Sequence, residues 1–333
     1  MPMAALARLL QTKPVLLADG AMGTSLFARG LETGGSPELW NVERPDQVRA
    51  VHQGFADAGS DIILTNSFGA NRARLALHGA GHRVAELNRA AAWLAREVAD
   101  AAERPMLVAG DIGPTGEIFA PVGAFGQADG EAVFAEQARA LAEGGADLLW
   151  IETISSAEEL AAAVAGAATA DLPIVATMTF DTRGRTMMGL TCEAAMGLRA
   201  GLAVRPVAFG ANCGIGPAQL VDSVLGLARA ALPGDLIVAK GNCGLPHYHD
   251  GEIRYDGTPA IMADYACLAR DAGARIIGGC CGTTPTHIAA MAEALATRPA
   301  GPVPDRAMIE RVLGPVAAEP AAPRQRARRR DAG

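Results

Sequence analysis

Three cysteines carry the clearest chemical signal in this chain. Cys213 lies in the segment GANCG, and Cys280 and Cys281 stand side by side in GGCCGT. Thiolate sulfur is a soft ligand that suits zinc, and zinc held by only three protein ligands keeps its fourth tetrahedral position open, as in a catalytic site. The trio therefore predicts a catalytic zinc site at which a substrate thiol binds and loses its proton.

The other cysteines leave one alternative open. Cys243, in GNCGLP, could supply a fourth sulfur and close the site, whereas the amide oxygen of the neighbouring Asn242 could occupy the open position weakly and leave when substrate arrives. We favour the second arrangement. The six cysteines have no secretory context, so we interpret them as reduced thiols or metal ligands, with Cys192 and Cys267 as small buried hydrophobes.

Eight short apolar runs, each followed by an alanine-rich helical segment, indicate the elements that must position these cysteines. The runs begin at Val15, Asp61, Met106, Asp147, Pro173, Val207, Asp235 and Arg275. This alternation predicts a single α/β domain over residues 1–313, a (β/α)8 TIM barrel, without a GxGxxG or P-loop motif. The zinc site would then lie at the C-terminal ends of strands 6 and 8, where barrel chemistry is assembled.

Residues at the ends of other strands could bind the rest of a substrate. Asp19 and Glu152 follow the first and fourth runs and could accept hydrogen bonds from a substrate ammonium, although each could also pair with a neighbouring side chain. Backbone N–H groups of the turn through Asn66, Ser67 and Phe68 could hold a substrate carboxylate. We therefore predict an amino-acid substrate beside the metal.

Residues 25–46 read as a long irregular loop that could cover the barrel mouth. Within it, Trp40 could offer an aromatic face to a trimethylammonium group, or it could pack the loop onto the barrel. A zinc centre with four thiolates is negatively charged overall. The electrophile that suits it is a methyl group on a cation, either quaternary ammonium or sulfonium.

Composition excludes several other classes of protein. Half of the 333 residues are apolar, which is enough to build a full core, yet the sequence has no apolar run long enough to span a membrane and no recognisable signal peptide. We therefore predict a cytoplasmic protein without a membrane partner. The net charge of −7 argues against a general nucleic-acid binder, and residues 314–333, with five arginines, read as a disordered basic tail. Binding of RNA or a partner by this tail is a weaker alternative.

The motifs DGAMGT, TNSFGAN, GDIGPTGE, IETI, GANCGIGP, KGNCGLP and GGCCGTTP occur in this order, and the chain resembles the homocysteine S-methyltransferase family over about residues 10–295. The resemblance implies a barrel with zinc on Cys213, Cys280 and Cys281. It also implies that Asp19 and Glu152 contact the homocysteine amino group. Asn242 matches the side chain that can sit on zinc before homocysteine binds.

Within this family the chain looks most like the bacterial enzymes called betaine–homocysteine methyltransferases. That resemblance implies transfer of a methyl group from glycine betaine, giving methionine and dimethylglycine. The chain departs from the animal betaine enzymes, which have aromatic residues where Gly69 and Thr153 stand here.

Other functions therefore stay open. One alternative is a sulfonium donor such as S-methylmethionine, and a second is a homocysteine module served by a separate corrinoid protein, since no DxHxxG motif follows the barrel. A non-catalytic zinc-binding barrel is the third. The predicted partners are small-molecule substrates, with a homo-oligomer as a possibility.

Overall fold

The computed structural model describes residues 2–181, 184–249 and 252–316. Ten strands lie in this part of the chain: β1 Leu16–Leu17, β2 Ile62–Leu64, β3 Leu107–Ile112, β4 Leu148–Ile154, β5 Ile174–Met178, β6 Ala208–Cys213, β7 Ile237–Gly241, β8 Pro246–His249, β9 Glu252–Tyr255 and β10 Ala274–Gly279. Eight of them form one parallel sheet in the order β1-β10-β7-β6-β5-β4-β3-β2, and β8 and β9 form a separate antiparallel hairpin.

The helices of the described part alternate with the sheet strands. They are α1 Pro2–Thr12, α2 Met22–Phe27, α3 Trp40–Glu43, α4 Pro45–Asp57, α5 Arg72–Ala76, α6 Val84–Ala101, α7 Gln127–Glu143, α8 Ala157–Ala168, α9 Cys192–Leu198, α10 Pro217–Ala230, α11 Pro259–Asp271, α12 Pro285–Thr297 and α13 Arg306–Leu313, with short 3-10 turns at Pro37–Leu39 and Arg199–Gly201. None of these helices is both long and apolar enough to cross a membrane.

The sheet closes on itself between its first and last strands. A parallel bridge joins Ala18 to Ile62, and the Asp61 N–H donates to the Leu17 carbonyl at 2.6 Å. The prediction of a (β/α)8 TIM barrel is confirmed. All eight apolar runs contain a strand of this barrel, because buried parallel strands need apolar, β-branched residues on both faces.

Alternating side chains divide the strands between two apolar layers. One set points into the barrel, where it forms a cluster that includes Leu107, Ala109, Leu148, Trp150 and Val238. Leu6 and Leu9 of α1 belong to the same cluster, so this N-terminal helix covers one end of the barrel. The intervening residues pack outward against the surrounding helices.

Two segments differ from the sequence predictions. Residues 25–46, predicted to be irregular, contain the end of α2, a 3-10 turn and α3. The hairpin β8–β9 was not predicted. Of the segment predicted as a tail, residues 314–316 are described: Val316 is buried and its carbonyl accepts a hydrogen bond from Arg306. The rest of that prediction, 317–333, lies outside the described residues.

Candidate active site

The three predicted zinc ligands come together at the barrel mouth. Cys213 ends β6, Cys280 and Cys281 directly follow β10, and β7 lies between these two strands. The three Sγ atoms all lie within 4.8 Å of one another. Cys213 has a φ of 61°, a left-handed conformation that non-glycine residues rarely adopt. Backbone strain of this kind is concentrated at functional sites.

The geometry and chemistry of this thiol cluster suit a zinc ion. Three sulfurs bound tetrahedrally at 2.3 Å lie about 3.8 Å apart, so only a small contraction of the cluster is required. The Cys280 and Cys281 thiols donate hydrogen bonds to the Cys213 sulfur, which lowers the pKa of Cys213 to about 3. The pKa values of the two donors are raised, that of Cys280 to about 11. A bound cation would remove the repulsion that keeps all three from ionising together.

Asn242 holds the two ligand loops together. Its Oδ1 accepts a hydrogen bond from the Cys281 N–H at 3.0 Å, and its Nδ2 donates to the Gly214 carbonyl at 2.6 Å. The same Nδ2 lies 3.5 Å from the Cys213 Sγ. The amide therefore links the backbone on both sides of the cluster, and its oxygen is engaged with one ligand loop.

Cys243 lies outside the thiol cluster. Its Sγ is 3.1 Å from the Gly257 carbonyl oxygen and 3.3 Å from Nε2 of His287 on α12. Burial raises the pKa of this thiol to about 11. A fourth protein sulfur on the metal would need this side chain to break both contacts and turn.

Asp19 and Glu152 are buried beside the cluster. The Asp19 Oδ2 accepts a hydrogen bond from the Leu64 N–H at 2.8 Å, and its Oδ1 lies 3.6 Å from Nζ of Lys240. Burial raises the pKa of each carboxyl to about 7, while the Lys240 ammonium opposes the rise. Each carboxyl can therefore be protonated in the empty pocket, and binding of a cation would favour its ionised form.

Asn212 fixes the backbone that carries Glu152. Its Oδ1 accepts from the Thr153 N–H at 2.8 Å and from the Thr177 hydroxyl at 2.8 Å, and its Nδ2 donates to the Thr153 Oγ1 at 2.7 Å. Thr153 has a φ of 64°, so these three hydrogen bonds, which we call the Asn212 clamp, also hold a strained residue. The clamp crosses from β6 to β4.

The turn predicted to bind a carboxylate is fixed by several hydrogen bonds, and one of them uses a predicted donor, since the Ser67 N–H donates to the Thr65 carbonyl at 2.9 Å. Asn66 Nδ2 donates to the Pro37 carbonyl at 2.8 Å, and Ser67 Oγ donates to the Asp111 carbonyl at 2.7 Å. The Phe68 carbonyl accepts from the Gly113 N–H at 3.0 Å. These bonds attach the turn to both the first loop and β3.

Trp40 is part of the first loop, and its side chain is largely buried. It is 9% exposed, and the Arg44 guanidinium carbon stands 5.6 Å from the ring centre. A cation already covers part of this ring. Binding of a trimethylammonium group to Trp40 would therefore require Arg44 to move or the opposite face to open.

The sequence interpretation missed four residues at this site: Asn212, Asp111, Lys240 and Tyr255. Asp111 and Lys240 could have been found by counting every second residue from the apolar interior of β3 and β7. Tyr255 comes from the unpredicted hairpin, and burial followed by the neighbouring Cys281 thiol raises the pKa of its hydroxyl. A Cβ at Gly282 would stand 2.2 Å from its ring, so glycine is needed there for the tyrosine to reach the cluster.

Together, the fold and site define a (β/α)8 barrel with a thiol cluster and buried carboxylates at the C-terminal ends of its strands. The sequence profile described as Homocysteine S-methyltransferase matches residues 16–295. The chain belongs to the homocysteine S-methyltransferase family.

Individual relatives agree with this membership. The chain is 33% identical over 304 residues to the methionine synthase of Mycobacterium tuberculosis, an alignment that covers 85% of this chain and 25% of that protein. The chain thus spans about a quarter of the length of that relative. The metallated form of the homocysteine methyltransferase MmuM from Escherichia coli is similar at 28% identity, with a TM-score of 0.73, over 87% of this chain and 99% of that one.

Replacing Asn242 with alanine should weaken metal binding without abolishing it. The substitution removes the link between the two ligand loops but no thiol, and loss of such supporting contacts typically costs about 10- to 100-fold in metal affinity. Competition with a chromophoric zinc chelator measures the change. Ser223→Ala, which removes one buried hydrogen bond within α10, is the control. Equal zinc affinities for Asn242→Ala and the wild type would contradict a clamping role.

Proposed function

We propose that this protein is a zinc-dependent S-methyltransferase that converts homocysteine to methionine. The observation that carries the proposal is the convergence of three Sγ atoms within 4.8 Å at the barrel mouth, next to two buried carboxyls. Family membership supports homocysteine as the methyl acceptor. Cytoplasmic location and self-association stay predictions from the sequence.

In this proposal, one set of residues binds the metal and another set binds the substrate. Cys213, Cys280 and Cys281 would hold zinc, which would lower the pKa of the homocysteine thiol so that a thiolate forms at neutral pH. Asp19 and Glu152 accept hydrogen bonds from the homocysteine ammonium. The backbone N–H groups at Asn66 and Phe68 would bind its carboxylate, and the Ser67 N–H could join them only by leaving the Thr65 carbonyl. Substrate is thereby held at three points.

The reaction then needs no general acid if the donor is an onium compound. The homocysteine sulfur attacks the methyl carbon, a sulfur–carbon bond forms, and the bond from that carbon to the donor nitrogen or sulfur breaks. The bonding pair goes to the leaving group, which departs without that positive charge. Clustered thiolates and carboxylates attract the cationic donor to the site.

Glycine betaine is the donor that we propose first. Support comes from the negative charge of the site and from the resemblance of the KGNCGLP region to bacterial betaine enzymes. Gly69, Thr153 and the covered ring of Trp40 provide no open aromatic cage, so charge must supply most of the attraction. The sulfonium S-methylmethionine would satisfy the same electrostatic requirement.

A methylated corrinoid protein is a second candidate donor. The loops after β3 and β5 expose Ile118, Val122, Met187 and Met188, each at least 44% accessible. Such loops lie at the same end of the barrel as the thiols. An apolar rim suits a protein partner better than a small cation. The much longer methionine synthase relative is consistent with the need for further modules.

The donor can be identified by measuring methionine formation from homocysteine with a panel of donors and the purified, zinc-loaded protein. We expect glycine betaine to give equal amounts of methionine and dimethylglycine. With betaine displacing Arg44 from the Trp40 ring, Trp40→Ala should raise the KM for betaine more than the KM for homocysteine, because a cation–π contact is worth about 0.5 to 2 kcal/mol. Phe27→Ala, at an exposed position on α2, is the control.

Different outcomes separate the proposals. Turnover with S-methylmethionine or a methylated corrinoid protein, but none with betaine, would reassign the donor. Failure with every donor, despite bound zinc and homocysteine, would support a non-catalytic barrel.

A further inference from the structure

A third carboxylate shares the pocket of Asp19 and Glu152. Asp111 lies on β3, two residues beyond Ala109, which belongs to the apolar interior of the barrel. Alternation along the strand therefore directs its side chain inward. Asp111 is 6% exposed, as buried as Glu152.

The Asp111 carboxylate is held in place through its backbone. Its N–H donates to the Thr65 hydroxyl at 2.9 Å, and its carbonyl accepts from the Ser67 hydroxyl at 2.7 Å. Ser67 belongs to the turn that we propose binds the homocysteine carboxylate, and Thr65 directly precedes that turn. The side chain is thus attached to the same rigid turn as another part of the substrate site.

Each of the three carboxyl groups has one buried oxygen without a hydrogen-bond partner. These oxygens are Oδ1 of Asp19, Oδ1 of Asp111 and Oε2 of Glu152. Buried acceptors are normally satisfied, and leaving one unpaired is costly. Three such atoms in one pocket indicate that a molecule with several donors completes their hydrogen bonding.

The pocket also contains more acidic groups than basic groups. Lys240 is the buried cation here, and its Nζ approaches Asp19 Oδ1 no closer than 3.6 Å. Burial and the neighbouring Glu152 raise the pKa of Asp111 well above its usual range, and Lys240 opposes the rise. One ammonium cannot neutralise three carboxylates, so a second ammonium would improve the charge balance of the pocket. A primary ammonium offers three N–H donors, which equals the number of unpartnered oxygens.

We propose that Asp111 is a third binding residue for the homocysteine ammonium and that Lys240 is a positioning residue beneath it. This inference rests on the proposed function, because it takes homocysteine as the ligand. In the complex, the substrate ammonium bonds to Asp19, Asp111 and Glu152. Lys240 neutralises part of the remaining charge and keeps Asp19 oriented toward the ligand.

The test compares homocysteine with 4-mercaptobutanoate, which keeps the thiol and carboxylate but lacks the amino group. Calorimetric titration of the zinc-loaded protein gives the affinity for each. Asp111→Asn should weaken homocysteine binding about 10- to 100-fold, the loss expected for one hydrogen bond to a charged group. Binding of 4-mercaptobutanoate should stay within about twofold of the wild type, since no ammonium is present.

A second variant and a control separate binding from folding. Asp111→Glu keeps the charge next to Lys240 and should recover part of the preference for homocysteine. Asp61→Asn removes a buried carboxylate at the opposite end of β2, where it pairs with Lys13, and should lower Tm without changing the ratio of the two affinities. Melting curves identify any variant that is unfolded.

The results also distinguish this inference from the proposed function. If the wild type binds homocysteine but Asp111→Asn keeps the wild-type ratio of affinities, Asp111 does not contact the ammonium and the inference is wrong. If the wild type binds neither thiol, the proposed function itself fails.

For Lys240, the informative variant is Lys240→Met. If Lys240 is a positioning residue, this variant should change the ratio of homocysteine affinity to 4-mercaptobutanoate affinity while the zinc content stays the same. An unchanged ratio in a folded protein would overturn its proposed role.

Discussion

Replacing any one of Cys213, Cys280 and Cys281 with alanine should remove both bound zinc and methyl transfer. Two thiolates and water hold zinc far less tightly than three thiolates, so we expect zinc affinity to fall by more than about 100-fold. Without the cation, the homocysteine thiol keeps its normal pKa and stays mostly protonated at neutral pH. Metal analysis after dialysis, followed by the methionine assay, measures both losses.

Cys243→Ala is the matched control for these variants. This buried thiol directly follows Asn242 in sequence but contacts Gly257 and His287 instead of the cluster. Its removal should leave zinc content and turnover near the wild-type values, although some loss of stability is expected from a buried cavity. Stoichiometric zinc in a Cys280→Ala/Cys281→Ala double variant would remove the basis for the ligand assignment.

Asp19→Asn and Glu152→Gln should weaken homocysteine binding strongly while zinc content stays unchanged. Removing one partner from a buried, hydrogen-bonded charge pair typically costs about 2 to 5 kcal/mol, which corresponds to roughly 30- to 5,000-fold in affinity. The effect should be confined to ligands with an amino group. Simple thiols that lack an ammonium therefore provide the control ligands, and a thermal melt checks folding.

The ionisation of the same two carboxyls should make recognition of the amino group depend on pH. Their pKa values are raised to about 7 in the absence of ligand, so both are largely neutral in mildly acidic solution. Ammonium binding favours the ionised forms. The ratio of homocysteine to 4-mercaptobutanoate affinity should accordingly increase as pH rises through about 7. Lys240 stays protonated through this range, because the neighbouring carboxyls raise its pKa despite its burial.

Two results would contradict this electrostatic explanation. Equal losses for homocysteine and simple thiols in Asp19→Asn would mean that the carboxylate acts through structure. A pH-independent ratio of affinities would mean that the carboxyls are already ionised in the empty pocket, or that they do not contact the ammonium.

Local sequence was sufficient to predict the barrel strands because each is short, apolar and bounded by turn residues. It was also sufficient to bring Cys213 and Cys280 to one site, since all strands of a parallel barrel end at the same face. The hairpin β8–β9 was missed although its sequence carries a local signal: polar and apolar residues alternate in EIRY, directly after the dipeptide Asp-Gly, which favours tight turns.

The sequence by itself determined the fold class, the thiol cluster and the strand ends that carry Asp19 and Glu152. These follow from periodicities of a few residues and from the chemistry of cysteine. Tertiary structure decided which groups share the pocket: Asp111 and Lys240 lie 129 positions apart in sequence. Burial raises the pKa of Asp111 and acts to lower that of Lys240, whereas the neighbouring Glu152 raises the pKa values of both. Only closure of the barrel could turn Cys243 toward His287 and bring Asn242 against two ligand loops, because those contacts join residues that no local pattern relates.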